Sequence, residues 1–138
     1  MNTLHTAAAL AMAAACLTAP APALAQAPPP AVPIALPAAS NSATFKGVVK
    51  GYASIDYTFE GQAGRRLRVD LHSRNPSLYF NVLREGQDEA IFIGSVGGAR
   101  YEAALPTDGA YRIRVYLMRN AARRGAQAPF TLDLRSPP

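Results

Sequence analysis

The chain lacks most of the residues from which metal centres and nucleophilic active sites are built. Its 138 residues include one cysteine, two histidines and no tryptophan. Beyond residue 25 there is one histidine, His72, and no cysteine, so no disulfide can stabilise the fold and an apolar core has to do so. Zinc sites need several Cys or His ligands, and no Cys–His pair or nucleophile elbow is present. The composition therefore argues against an enzyme and against a bound cofactor or metal.

The first 25 residues are typical of a signal peptide. Residues 7–17 form an apolar run of about 11 residues, roughly half the length that a membrane-spanning helix needs. The tail that follows is interrupted by proline and ends in Ala-Leu-Ala at residues 23–25, the small-residue pattern of leader-peptidase sites. We expect export to the periplasm, with cleavage before Gln26. Cys16 would join the protein to a membrane if it were lipidated, but the usual leucine of a lipoprotein box is missing before it.

Residues 26–42 differ from the rest of the chain in composition. They are rich in Pro and Ala and carry no charge, which predicts a disordered spacer. All fourteen Lys and Arg follow residue 45, so the net charge of +5 belongs to the expected folded domain, residues 43–138. A nucleic-acid binder would cluster such charges beside aromatic side chains. Here they are distributed along the predicted strands, so we expect no nucleic-acid partner.

From residue 44 onward, apolar and polar residues alternate with a period of two. Residues 55–59, 67–71 and 111–117 show the pattern most clearly. Such alternation buries one face of a strand and leaves the other in solvent. Glycine-containing turns separate these segments, and no segment of similar length has a helical period. The sequence therefore predicts an all-β fold, a single antiparallel β-sandwich of about eight strands.

The connection at residues 119–128 has a distinctive composition. Asn120 can cap a turn of helix, two alanines favour that turn, and Gly125 can end it. In such a turn Arg119 and Arg123 would share a face, because they are four residues apart. Two guanidinium groups held together are suited to binding a carboxylate or phosphate. From the residues alone, a solvated charge run on a loop is the favoured interpretation, and the anion-binding pair is the alternative.

At this loop the sequence resembles a known family. Residues 111–124 resemble the signature of the periplasmic inhibitors of g-type lysozyme, and further segments match that family in order and spacing: Lys50-Gly51-Tyr52, 56–59, 63–64, 79–82 and 105–109. The resemblance covers most of residues 44–134. Its most specific part is the arginine-bearing loop, since the other elements also occur in secreted β-sandwich modules appended to bacterial proteases.

The resemblance implies a β-sandwich that protects peptidoglycan by inserting loops into the lysozyme cleft. It makes Arg119 and Arg123 the cationic contacts, places Tyr52 beside them and lets Asn120 shape the loop. Glycosidic cleavage needs an acidic residue, and an arginine set against that carboxylate would exclude water and sugar. The implied partner is a g-type lysozyme, and inhibition would need no reaction. From the residues alone, Tyr52 would equally well cover the edge of the sandwich.

Two alternatives stay open at this point. A secreted β-sandwich module that binds glycan or assists an envelope enzyme would bind purified peptidoglycan without lysozyme. An endogenous lytic transglycosylase of similar fold would replace lysozyme as the partner. The basic charge also opposes long-range attraction to lysozymes, which are usually basic, although it leaves a local arginine–carboxylate contact intact.

Overall fold

The computed structural model describes residues 20–22 and 27–138. The predicted signal peptide lies outside these residues except for 20–22, and so does Cys16, so export and lipidation stay predictions. Within the described residues, no helix has both the length and the apolar character needed to cross a bilayer.

Residues 27–138 contain nine strands and two short helices, which turns and loops connect. The strands are β1 Ala31–Pro33, β2 Ser42–Lys50, β3 Ser54–Gly61, β4 Arg66–Ser73, β5 Leu78–Arg84, β6 Ala90–Ile93, β7 Arg100–Ala104, β8 Gly109–Leu117 and β9 Gln127–Arg135, and the helices are α1 Gly94–Gly97 and α2 Arg119–Arg123. The first sheet has the order β1-β3-β8-β5-β6, and the second sheet has the order β2-β9-β4-β7. Every pair is antiparallel except β1 with β3. The predicted antiparallel β-sandwich is confirmed.

The core lies between the two sheets and follows the alternation of the sequence. On β8, Ile113 and Val115 are fully buried, whereas Arg112 and Arg114, which alternate with them, are partly exposed. On β9, Leu132 and Leu134 are buried in the same way. Burying a side chain of this size stabilises the fold by about 1.5–3 kcal/mol. A register slip of one residue would expose each of these sets, so the pattern fixes the strand register.

Residues 31–36 contact the sandwich, although they lie in the segment whose composition predicts a disordered spacer. Strand β1 lies in this segment and pairs with β3, and the Asp56 amide donates a hydrogen bond of 3.0 Å to the Pro30 carbonyl. Ile34 and Leu36 pack against the core. The expected spacer stays a prediction; it was based on the prolines, and the apolar residues between them are the ones that contact the sandwich. Proline is tolerated on a sheet edge, where no ladder donor is needed.

Candidate functional site

Helix α2 connects β8 to β9 and is tied to the sandwich where it begins. The residue before it, Met118, makes no side-chain cap, but its amide donates a hydrogen bond of 2.9 Å to the Ser77 carbonyl. The prediction that Asn120 caps the helix is therefore wrong. Asn120 is the second helical residue, and its Oδ1 accepts a bond of 2.7 Å from the Ala121 amide. This amide is one of the first-turn donors that lack an intrahelical acceptor, so Asn120 still stabilises the start of α2.

Gly125 ends α2, as the sequence predicts. Its φ of +67° lies in the left-handed region that favours glycine. Its amide donates to the Ala122 carbonyl at 2.9 Å, and the Ala126 amide donates to the Ala121 carbonyl at 3.1 Å. These are the two bonds of a Schellman motif. Because Ala121 and Ala122 are buried, the helix packs its alanine face on the sandwich and turns its other face outward.

The outward face of α2 carries arginine. Arg119 and Arg123 are both exposed, and their spacing of four residues places them on one side of the helical turn. Arg124 follows and is exposed as well. Within residues 27–138, none of these three side chains takes part in an ion pair. Like charges at this spacing are slightly destabilising, so stability does not account for the arrangement.

Tyr52 lies at the same end of the sandwich, in the turn between β2 and β3. The neighbouring Gly51 has a φ of +57°, and its amide donates a hydrogen bond of 2.9 Å to the Ala126 carbonyl just after α2. The Ala122 carbonyl oxygen is 3.7 Å from the place that a Cβ on Gly51 would occupy. The Tyr52 side chain is 61% exposed, so it does not serve as a cover for the sandwich edge. All four residues predicted for the site therefore lie on two adjoining connections.

A groove beside Tyr52 contains residues that the sequence did not single out. Pro28, Pro29 and Arg114 line it together with Tyr52. The Arg114 Nε and Nη2 atoms each donate a hydrogen bond of 2.7 Å to the Asp56 carboxylate. Chiefly because of the hydrogen bond to Asp56, the pKa of Arg114 is raised above its ordinary value. The alternation placed both charged residues in solvent, and no local pattern showed that they would pair.

No arrangement typical of a metal centre occurs in the part of the chain that the structure describes. There, no group of three or more His, Cys, Asp or Glu side chains could hold a metal ion. His72 instead lies on the outer face of the second sheet, with its Nε2 atom 3.2 Å from the Asp133 carboxylate.

The chain is similar to inhibitors of lysozyme in both sequence and structure. The crystal structure of Aeromonas hydrophila PliG, described as a periplasmic lysozyme inhibitor of g-type lysozyme, is 33% identical, with a TM-score of 0.66 over 78% of this chain and 98% of that chain. The inhibitor of g-type lysozyme of Escherichia coli (strain K12) is 26% identical over 98 residues, which are 69% of this chain and 72% of that protein. No protein-family model matches the chain.

The sandwich itself is not particular to inhibitors. The pre-peptidase C-terminal domain of a Bacillus anthracis collagenase has a TM-score of 0.60 at 19% identity, over 80% of this chain and 100% of that domain. That likeness concerns the fold alone, and a fold hosts many functions. The match to the Aeromonas inhibitor is different in kind, since a third of the residues are identical over 98% of its length. The chain belongs to the family of periplasmic inhibitors of g-type lysozyme.

Proposed function

We propose that this protein inhibits a g-type lysozyme in the periplasm and that α2, together with the Tyr52 turn, is its contact surface. The observation that carries the proposal is the exposed arginine pair of α2, which has no acidic partner among the described residues and lies next to an exposed tyrosine. Family membership supplies the target class, because the relatives are described as inhibitors of g-type lysozyme. The periplasmic location follows from the description of the same relatives.

Arginine is suited to blocking a lysozyme cleft. Cleavage of a glycosidic bond needs an acidic residue that protonates the leaving oxygen. A guanidinium group placed against that carboxylate makes charge-assisted hydrogen bonds and displaces both water and sugar. Arg119 and Arg123 share one face of α2, so both reach toward the same cleft. Tyr52 adds a large side chain with two rotatable bonds, which gives contact area at a small cost in conformational entropy.

Backbone hydrogen bonds tie the proposed contact surface to the sandwich and join its two connections. The bond from Met118 to Ser77 fixes the start of α2, and the Schellman motif at Gly125 fixes its end. The bond from Gly51 to Ala126 joins the tyrosine turn to the same connection. Ordering a loop on binding costs free energy, and a loop that is already ordered avoids that cost. The local structure therefore favours tight binding by a small number of side chains.

The proposal is tested by measuring lysis of isolated cell walls by a g-type lysozyme, with and without the purified protein. A c-type lysozyme in parallel is the control. We expect stoichiometric block of the g-type enzyme and no effect on the c-type enzyme. Continued lysis at micromolar excess of the protein would contradict the proposal, and so would equal block of both enzymes.

The occlusion of the cleft is tested separately with a non-hydrolysed N-acetylglucosamine oligosaccharide that fills the cleft. If α2 enters the cleft, the oligosaccharide and the protein compete, and the apparent Kd of the protein rises linearly with the free oligosaccharide concentration. An unchanged Kd at saturating oligosaccharide would place the contact outside the cleft, even if the protein still inhibits.

A further inference from the structure

The outer face of the second sheet contains a groove that the proposed inhibitor contact does not use. Strand β4 ends at Ser73, whose partner on β9 is Phe130, whereas β9 begins three residues earlier, at Gln127. Over residues 127–129, β9 therefore has β2 as a neighbour on one side and no strand on the other. The side chains that line the resulting notch, here called the Pro129 groove, include Lys46, Val48, His72, Arg74, Pro129 and Thr131.

Pro129 fits the notch for a reason of backbone chemistry. The Ser73 hydroxyl donates a hydrogen bond of 2.9 Å to the Pro129 carbonyl, so this carbonyl faces the β4 side. In a strand the nitrogen and the oxygen of one residue face the same neighbour. The Pro129 nitrogen therefore faces the place where β4 has ended and no strand offers an acceptor. Proline has no N–H donor, so the apolar lining of the groove contains no unpaired amide at this position.

The same face has an excess of positive charge. It carries seven cationic side chains and three carboxylates. The cations are Lys46, Lys50, Arg66, Arg68, Arg74, Arg100 and Arg135, and the carboxylates are Asp70, Glu102 and Asp133. The net charge of the whole chain is +5, so this face accounts for most of the excess. Each of the three carboxylates already has a basic partner. Among the described ion pairs none includes Lys46 or Arg74, the lysine and the arginine of the groove.

We propose that the Pro129 groove binds a glycan polymer that carries carboxylates, which is the chemistry of the peptidoglycan that lysozymes cleave. Lys46 and Arg74 would bind carboxylates, and the apolar atoms of Val48 and Pro129 would contact the C–H faces of sugar rings. A groove fits a chain-like ligand. Stable binding to a bilayer surface is strengthened by large apolar side chains that insert between lipids, and on this face of the described structure Val48 is the one exposed large hydrophobic side chain.

The groove adjoins the proposed inhibitor surface and shares none of its residues. Val48 and Lys50 are two residues apart on β2, roughly 7 Å, and Lys50 adjoins the Tyr52 turn. A polymer bound in the groove would hold the protein beside the substrate that an invading lysozyme attacks. Holding two partners on one scaffold raises their effective concentration. This arrangement would offset the long-range repulsion between a basic inhibitor and a basic lysozyme.

The test is co-sedimentation of the purified protein with isolated peptidoglycan sacculi in the absence of lysozyme. We expect saturable binding that weakens between about 0.05 M and about 0.5 M salt, because screening shortens the range of charge attraction. The double variant Lys46→Gln/Arg74→Gln should bind sacculi about tenfold more weakly, since an exposed charge contact contributes up to roughly fivefold. The same variant should still inhibit lysozyme on a soluble substrate.

A charge-matched variant controls for general attraction. Arg119→Gln/Arg123→Gln removes the same charge from α2, and it should lose inhibition while binding sacculi like the parent protein. Equal loss of sacculus binding in both double variants would overturn the groove assignment, because charge alone would then account for binding.

A second variant tests the groove without removing a cation. Val48→Glu adds a negative charge to an exposed position and should weaken sacculus binding, whereas Val48→Thr should bind like the parent protein. Unchanged binding by Val48→Glu would overturn the proposal. So would an absence of saturable binding to sacculi, or binding to phosphatidylglycerol vesicles in place of sacculi.

Discussion

Arginine occupies two different environments in this protein, the strands and helix α2. On the strands, Arg114 makes two hydrogen bonds to the largely buried carboxylate of Asp56. In α2, Arg119 and Arg123 are exposed, and they take part in no ion pair of the described structure. An arginine with a carboxylate across the strand stabilises the sheet. An arginine of α2, which has no such partner in the described structure, is available to bind another molecule.

The largest expected effect concerns the α2 arginines. Arg119→Ala and Arg123→Ala should each weaken binding to g-type lysozyme by about 2–5 kcal/mol, because each removes one member of a hydrogen-bonded charge pair that becomes buried. This corresponds to a rise in Kd of roughly 30-fold to several thousandfold. Titration of lysozyme activity with each variant measures the change. The free energy of unfolding should change by less than about 0.5 kcal/mol, since both side chains are exposed.

Arg124 provides the matched control for this prediction. It carries the same charge one residue beyond α2, and Arg124→Ala should cost less than about 1 kcal/mol of affinity, as expected for a contact at an exposed rim. Comparable mild losses for all three alanine variants would contradict the insertion of α2 into the cleft.

The next effect concerns the paired arginine. Arg114→Ala should lower the free energy of unfolding by about 3 kcal/mol, because it leaves the Asp56 carboxylate buried without its partner. This loss is at the lower end of the range for breaking a buried ion pair, because about a third of the Arg114 side chain is exposed. Urea unfolding measures it. The double variant Asp56→Asn/Arg114→Gln leaves no unpaired charge at this position, so its free energy of unfolding should fall by less than that of Arg114→Ala. An equal loss in the double variant would show that packing, and not charge, accounts for the effect.

A substitution at Gly125 tests whether the end of α2 positions the exposed arginine pair. Gly125→Ala should cost about 1–2 kcal/mol of stability, because alanine is strained at a φ of +67°. It should also weaken lysozyme binding, since it disturbs the end of the helix that carries the arginines. Gly86→Ala is the matched control, because Gly86 has a φ of +74° in the β5–β6 connection, and a Cβ at either glycine would meet no atom within 4 Å. If both variants kept full affinity, the Schellman motif would not position the arginine pair.

The smallest expected effect is on acid stability. Burial alone would raise the pKa of Asp70, but hydrogen bonds from Arg100 and Arg68 outweigh it and hold the pKa below its ordinary value. The resulting stabilisation is complete above the unfolded-state pKa, about 3.9, and is lost as the pH falls through the lower folded-state pKa. Because Arg100 is mostly exposed, we expect less than about 1 kcal/mol.

Urea unfolding as a function of pH measures this contribution. Asp70→Asn should flatten the acid side of the stability curve, whereas Asp88→Asn, at an exposed position in a loop, should leave it unchanged. Identical curves for Asp70→Asn and the parent protein would show that this carboxylate makes no contribution to acid stability.

The strands that alternate most clearly in sequence are the ones predicted most closely. Strands β8 and β9 each have one buried face and one at least partly exposed face, and β3 follows the same alternation except at the buried Asp56, so the pattern of single residues reveals all three. Strand β6, Ala90–Ile93, has four apolar residues in a row, so the period-two pattern does not reveal it. Strand β1 was missed because its pairing with β3 depends on contacts with residues more than twenty positions away.

The local structure of the candidate site was predicted in part, for related reasons. Gly125 ends α2 because a left-handed residue is a local requirement that glycine meets. The role of Asn120 was misplaced by two residues, since the start of α2 is set by the bond from Met118 to Ser77 and not by the helix sequence. The exposure of Tyr52 was undecided in the sequence, because it depends on how the β2–β3 turn packs against the α2 connection.

The sequence by itself determined the sandwich, the register of its main strands and the end of α2, because alternation and backbone conformation are properties of one segment at a time. Tertiary structure decided which arginines form ion pairs and which form none among the described residues. Arg114 and Asp56 are 58 residues apart, and strand pairing brings them within hydrogen-bonding distance. The Pro129 groove likewise exists because β4 ends before its neighbour β9, a difference between two strands that neither shows alone.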